Sequence, residues 1–255
     1  MLAPQPLKLL CGRQYFCKAL QSYTFWEFSL KVPLVLPFGE SCLIYVQTQL
    51  PMTSFDREYW SQRWQEGQTG WDAGSATTPI REYADHLEDK ELKVLIPGAG
   101  NAYEAEYLHA QGFKNVTVLD IAAEPLKNLK ARVPDFPDEF LVQQDFFKHE
   151  GQYDLIIEQT FWSTFPPAMR DAYVDQMYAL LKVGGALVGV LFEDELFQDH
   201  PPFGGDREEY RPHFARKFEF KYFERCHNSI PPREGRELWI HLIKPDWDEA
   251  YSLGR

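Results

Sequence analysis

The stretch from Lys93 to Asp120 limits most sharply what this chain can become. Lys93 to Pro97 is a short β-rich run that passes directly into Gly98-Ala99-Gly100-Asn101. Ala102 to Gln111 then reads as a helix stopped by Gly112, and Asn115 to Leu119 as a second buried strand with Asp120 at its end. A strand, a tight glycine turn, a helix and another strand in such short order predict a parallel sheet with helices over its faces.

The pattern repeats on both sides of this unit. Ser54 is placed to cap a helix over about Asp56 to Glu66, and Gly67, Gly70 and Gly74 force a loop after it. Pro79 suits the first turn of a short helix ending near Leu87. Beyond Asp120, the chain reads as a helix over Glu124–Arg132, a strand at Phe140–Gln143 ending at Asp145, and a strand at Asp154–Ile157. An aromatic loop, a long helix from about Pro167 to Leu181 and a strand at Ala186–Phe192 follow. The last two strands, Phe218–Cys226 and Leu238–Ile243, have only the turn-rich Asn228–Gly235 between them, which predicts an antiparallel hairpin at the sheet edge. The expected architecture is α/β: a mostly parallel sheet, helices on both faces and an antiparallel C-terminal hairpin.

Charge divides the chain. Residues 1–51 carry Lys8, Arg13, Lys18 and Lys31 against Glu27 and Glu40, a balance of +2, so the rest holds −14 of a total of −12. The segment follows neither period for long and Met52 stands just after it, so it is expected to be an ill-ordered or mis-started extension, with the domain over residues 52–255. Net negative charge argues against nucleic acid and anionic membrane surfaces and favours a small-molecule partner. No apolar run is long enough to span a bilayer. Cys11, Cys17 and Cys42 lie in the extension and only Cys226 beyond it, which suits a reducing, cytoplasmic setting. The histidines do not cluster at ligand spacing, and no metal is expected.

The chemistry-bearing residues fall at strand ends, where open α/β sheets bind their ligands. Gly98 and Gly100 permit close backbone approach, and the next helix offers unpaired N–H groups. Asp120 lies 22 residues beyond Gly98, at the spacing from which an acidic residue accepts ribose hydroxyls. Glu104 and Ala105 occupy the stretch where a dinucleotide fold keeps its third glycine, which counts against a pyrophosphate cofactor. Asp145 and Phe146 supply an acceptor for an adenine amine and a ring face, a combination suited to S-adenosylmethionine. Each feature also has a plain structural reading: a packing turn for the glycines, a helix cap for Asp120, a core ring for Phe146.

The string from Tyr59 to Asp72, Tyr-Trp-Ser-Gln-Arg-Trp-Gln-Glu-Gly-Gln-Thr-Gly-Trp-Asp, resembles the signature that precedes the core in the thiopurine S-methyltransferase family, which includes the plant halide and thiol methyltransferases. The likeness continues through Ile96–Asn101, Glu158–Trp162, Met169–Tyr173, His200–Phe203 and Pro232–Gly235, covering about residues 55–245. It implies a Rossmann-like class I methyltransferase with a seven-stranded sheet, S-adenosylmethionine as cofactor, and a monomer. It further implies that Trp60 and Trp64 line the methionine end of the cofactor and that Trp71 stands between cofactor and acceptor. Ribose contacts fall to Asp120, adenine contacts to Asp145 and Phe146, and a further cofactor contact to Gln159, a position at which relatives vary.

Methyl transfer from a sulfonium to a nucleophile neutralises charge, so alignment and water exclusion are the main tools. A thiolate, hydrosulfide or halide is already reactive, and no catalytic acid or base is assigned. Phe161, Trp162 and Phe203 are expected to join Trp71 as an apolar acceptor pocket, and Arg170 to pair with a nearby carboxylate. Two other functions fit the same fold: a nicotinamide-dependent oxidoreductase, and a non-catalytic module that binds the methyl donor.

Overall fold

The long apolar runs of the sequence become the centre of a seven-stranded sheet. The computed structural model describes residues 29–35, 41–47 and 55–246, and the chain divides into two units, Met1–Thr53 and Ser54–Arg255. In the first unit, β1 (Ser29–Val35) and β2 (Ser41–Gln47) pair antiparallel. The rest of the expected extension lies outside the described residues.

The second unit begins with α1 (Arg57–Gln65), α2 (Thr78–Asp85) and β3 (Lys93–Pro97). It continues with α3 (Tyr103–Ala110), β4 (Asn115–Asp120), α4 (Glu124–Arg132), β5 (Leu141–Gln143) and β6 (Tyr153–Gln159). It ends with α5 (Arg170–Leu180), β7 (Leu181–Phe192), α6 (Arg207–Ala215), β8 (Glu219–Arg225) and β9 (Glu237–Ile243). The sheet order is β5-β4-β3-β6-β7-β9-β8; the first five strands are parallel, and β9 pairs antiparallel with both β7 and β8. Two apolar cores flank it. One gathers α2, α3 and α4 over β3 and β4; the other gathers α5 and α6 around Trp162, Tyr173, Met177 and Phe214.

Three local expectations change. The cap of α1 is Asp56, whose side chain accepts from the Tyr59 amide at 3.1 Å, while Ser54 lies outside the described residues. The strand expected at Ala186–Phe192 is longer: β7 starts at Leu181 and takes in Gly184 and Gly185, with Gly184 at a φ of +77°. Helix α6 lies where no element was expected and holds Pro212 inside it; Asp206 caps it, accepting from the Glu209 amide at 2.9 Å.

The topology positions the site. Strand order reverses between β3 and β6, so the carboxyl ends of these two strands open a crevice into which Gly98 and Thr160 project their backbones.

Candidate active site

The turn after β3 is shaped by contacts on both sides. Gly98 has a φ of +57°, and a Cβ there would fall 1.9 Å from the Phe161 ring, so only glycine fits. Gly100 is constrained differently: its φ is +53°, but a Cβ would meet nothing nearer than the Trp64 and Trp71 indoles at 3.9 and 4.0 Å. The strand tips also hold two non-glycine residues in the left-handed region, Ala102 at +54° and Thr160 at +59°. Such conformations cost about 1–3 kcal/mol each and persist only where surrounding structure imposes them.

Asp120 ends β4 beside this turn and is buried. Its Oδ2 accepts from the Gly100 amide at 3.1 Å and its Oδ1 from the Ala122 amide at 2.9 Å, leaving each oxygen a further lone pair. Burial pushes its pKa up to about 6, against the pull of those amides. Next to it, Ile121 and Asp145 border an open cleft of about 520 Å³, whose opposite wall is the start of α1 at Asp56, Arg57 and Ser61. Asp145 caps a short turn of 3₁₀ helix by accepting from the Phe147 amide at 3.0 Å.

Helix α1 has no buried residue, so it is not held by a core face of its own. It is tied down by the Gln65 amide donating to Glu124 of α4 at 2.9 Å and by its rings. Trp60 and Trp64 stand edge-on to Trp71, with centroids at 5.7 and 5.8 Å, and all three are half-buried. The Trp60 indole N–H donates to the Phe55 carbonyl at 3.0 Å, and Phe55 meets Phe203 edge-on at 5.6 Å.

A second polar set lines the β3–β6 crevice. The Thr77 amide donates to Glu104 Oε1 at 3.1 Å; its hydroxyl lies within reach of that oxygen and of Gln159 Oε1, at 3.3 and 3.2 Å, and its one proton serves one of them at a time. Gln159 Nε2 is buried with no hydrogen-bond partner among the described residues, and turning the amide over would merely orphan the oxygen instead. Burial raises the pKa of Glu104. Arg233, also buried, donates to the Trp71 carbonyl at 2.6 Å and to Glu237 at 3.3 Å, which anchors the tryptophan loop to the β8–β9 connection.

The structure thus links Trp60, Trp64, Trp71, Gly100 and Asp120 by direct contacts, places Gly98 and Gln159 at the tips of the adjoining strands β3 and β6, and sets Asp145 on the cleft beside Ile121. It does not bring all the expected aromatics there. Trp162 is wholly buried, with Tyr173, Tyr210 and Phe214 packed on it and the Arg170 guanidinium over its ring. It is a core residue and no lid. Phe146 is likewise enclosed by Phe147, Phe161, Phe165 and Tyr173, so Ile121 is the apolar side chain that faces the cleft in its place. Phe161 serves as a half-buried backing to Gly98, and Phe203 is buried beneath Phe55. Arg170 pairs with Glu209, as expected. Thr77, Glu104, Ile121 and Arg233 were missed; of these, only Ile121 carried a sequence signal, its place directly after the acidic strand end.

Comparison with known proteins decides what this arrangement belongs to. Residues 55–244 match the family model described as Thiopurine S-methyltransferase (TPMT). The chain belongs to the thiopurine S-methyltransferase family. As a family member it is an S-adenosylmethionine-dependent methyltransferase, which leaves the nicotinamide oxidoreductase reading without support. Among its relatives, a probable thiol methyltransferase 2 of Arabidopsis thaliana is 28% identical over 156 residues, 59% of this chain and 69% of that protein. A thiopurine S-methyltransferase of Xanthomonas campestris pv. campestris (strain 8004) is 24% identical over 208 residues, 71% of this chain and 91% of the other. The fold is also that of the Burkholderia thailandensis 1,6-didemethyltoxoflavin-N1-methyltransferase, solved with S-adenosylhomocysteine, at a TM-score of 0.61 and 18% identity over 84% of this methyltransferase and 99% of that one. Among the described residues no helix is long and apolar enough to cross a membrane, and no group of three or more His, Cys, Asp or Glu is placed to hold a metal.

Proposed function

We propose that this methyltransferase moves a methyl group to a small soft nucleophile, a thiol, thiopurine-like thione, sulfide or halide, in the crevice between the tips of β3 and β6 and beneath α1. In this reading the donor fits the crevice through Asp120, whose spare lone pairs take the ribose hydroxyls, and through Asp145 and Ile121 at the adenine. Gly100 leaves room for the donor to approach the backbone, Gly98 shapes the turn against Phe161, and the Gln159 amide atom that has no partner among the described residues meets the donor's polar end. When bound, S-adenosylmethionine supplies an electrophilic methyl group on a sulfonium.

The chain's own part is to hold, desolvate and aim. The indoles of Trp60, Trp64 and Trp71 present ring faces and edges to a cation, an attraction worth about 0.5–2 kcal/mol. Trp71, joined through Trp60 to the Phe55–Phe203 pair, forms the acceptor side and excludes the water that would otherwise solvate an anionic nucleophile. No residue is assigned as acid or base, since soft acceptors attack without one. The relatives' names, a thiol and a thiopurine methyltransferase, support the acceptor class. We further read residues 52–255 as the catalytic domain, acting as a monomer in the cytoplasm. Its exposed large apolar residues, Val183, Phe197 and Tyr222 among those described, come from separate elements.

One observation carries the reading: a buried carboxylate at the β4 tip shares the Gly100 turn with two half-buried indoles, Trp64 and Trp71, and Trp60 stands edge-on to the second. Asp120→Ala is expected to weaken S-adenosylhomocysteine binding at least tenfold by isothermal titration with the melting temperature kept. Unchanged affinity would remove Asp120 from the site.

A further inference from the structure

A second cavity, of about 490 Å³, lies between α2 and the β8–β9 hairpin. Strand β8 is built to face it. Phe220 pairs with Leu242 and Tyr222 with His241, so Lys221 and Tyr222 together oppose one residue of β9, which makes a β-bulge. The bulge lets Phe220 and Phe223, with ring centroids at 5.1 Å, both turn to the core, and it directs Lys221 and Tyr222 together into the cavity. From β9 the same face presents Trp239 and His241, and from α2 comes Tyr83, tilted against Trp239 at 5.9 Å and edge-on to His241 at 5.6 Å.

The polar groups here are unevenly satisfied. Glu82, the carboxylate of the lining, already accepts from the Asn228 amide at 2.5 Å and stands 3.9 Å from His227. Lys221 makes no ion pair among the described residues. His241 is 7% exposed, and its ring nitrogens have no hydrogen-bond partner among the described residues. Burial and the nearby Lys221 push its pKa down to about 4, so it is neutral and keeps both a donor and an acceptor to offer. At the mouth of the cavity Lys221, without an ion pair among the described residues, thus stands beside a buried neutral imidazole and the rings of Tyr83, Tyr222 and Trp239. They are complementary to a flat ring that bears one negative charge.

We propose that this cavity is a second small-molecule site, distinct from the methyl-donor crevice, that takes a planar aromatic carboxylate with its ring against Trp239 and Tyr222 and its carboxylate on Lys221. Helix α2 joins the two places: Thr77 at its start bonds Glu104 in the crevice, and Tyr83 near its end lines the cavity. The proposal does not depend on which acceptor is methylated.

The test uses the full chain saturated with S-adenosylhomocysteine, so that the crevice is filled, and titrates 2-naphthoate by calorimetry beside its uncharged analogue 2-naphthalenemethanol. The acid should bind at least tenfold more tightly than the alcohol. Lys221→Glu should weaken the acid at least tenfold, and Tyr222→Ala several-fold. Both side chains are exposed, so both variants should fold. Absence of binding up to millimolar 2-naphthoate, equal affinity for the two probes, or affinity indifferent to both substitutions would each overturn the proposal.

Discussion

The rings around α1 and the rings behind β6 are made of the same residue types, and both stand close to the glycine turn, yet they are covered differently. Trp60 and Trp64, on a helix with no core face, and Trp71, on the loop after it, are all half-buried, and the first two each meet Trp71 in a T-shaped contact. Phe146, Trp162 and Tyr173 are closed in on every side by other rings, and Trp162 and Tyr173 have no exposed surface at all. A ring enclosed by protein has spent its faces on packing, whereas a half-covered ring held in place by edges has a face left for a ligand. On the proposed reading, burial separates the rings that would hold the ligand from those that hold the site.

The sharpest contrast comes from truncating one ring of each kind. Trp162→Ala should cost about 3–5 kcal/mol of stability, read as a large fall in denaturation midpoint, because it opens a cavity in the core. A midpoint within 1 kcal/mol of wild type would erase the distinction drawn here. The junction between the two groups is Gly98, where an added methyl collides with Phe161. Gly98→Ala should lower donor affinity by ten- to a hundredfold in a titration, with a smaller loss of stability. A variant that binds normally would show that Phe161 yields without cost.

The outer rings should behave in the opposite way. Trp60→Ala is expected to weaken S-adenosylmethionine by roughly 2- to 30-fold, the range that corresponds to a cation-π loss of about 0.5–2 kcal/mol. It should weaken S-adenosylhomocysteine, which lacks the positive sulfur, by less. Equal losses for the two would mean that the indole is packing against the ligand and not reading its charge.

The smallest effect concerns pH. Asp120 and Glu158 are both buried carboxylates whose pKa values are pushed up, to about 6 and about 7, by loss of solvent. For stability the sign is fixed: each group's contribution is complete below its unfolded pKa and is lost as pH rises through the folded value. The melting temperature should therefore fall between about pH 4 and pH 7, and Glu158→Gln should flatten part of that fall. Ligand binding runs the other way, since ribose hydroxyls favour the ionised Asp120; affinity should drop below pH 6 by at most tenfold per unit. A melting temperature that rises over the same range would contradict the assignment of these two groups.

The sequence was legible wherever period and punctuation agreed. The β3–turn–α3–β4 unit stood out because an apolar run, two glycines and an acid at a fixed spacing all point to one structure, and α4 falls on the range read for it. It was illegible where neighbours in space decide the outcome. No helix was read between the fifth strand and the hairpin, yet Asp206 and an acidic first turn start α6 there despite Pro212 inside it. Trp162 and Trp71 are alike as letters; only the packing of Tyr210 and Phe214 from α6 and its approach makes one of them core. Thr77 and Arg233 reach the crevice from distant segments, through hydrogen bonds to Glu104 and to the Trp71 carbonyl that no local pattern announces.

The central claim is that the donor is gripped at the β4 tip and its methyl passed to a soft acceptor under α1. The most direct measurement follows label from methyl-labelled S-adenosylmethionine into thiophenol, hydrosulfide and iodide, with wild type and Asp120→Ala compared at subsaturating donor. The account predicts a methylated product from at least one of these acceptors, formed at least tenfold more slowly by the variant. Label that reaches none of the three from a folded, donor-binding protein, or turnover that ignores the substitution, would contradict it.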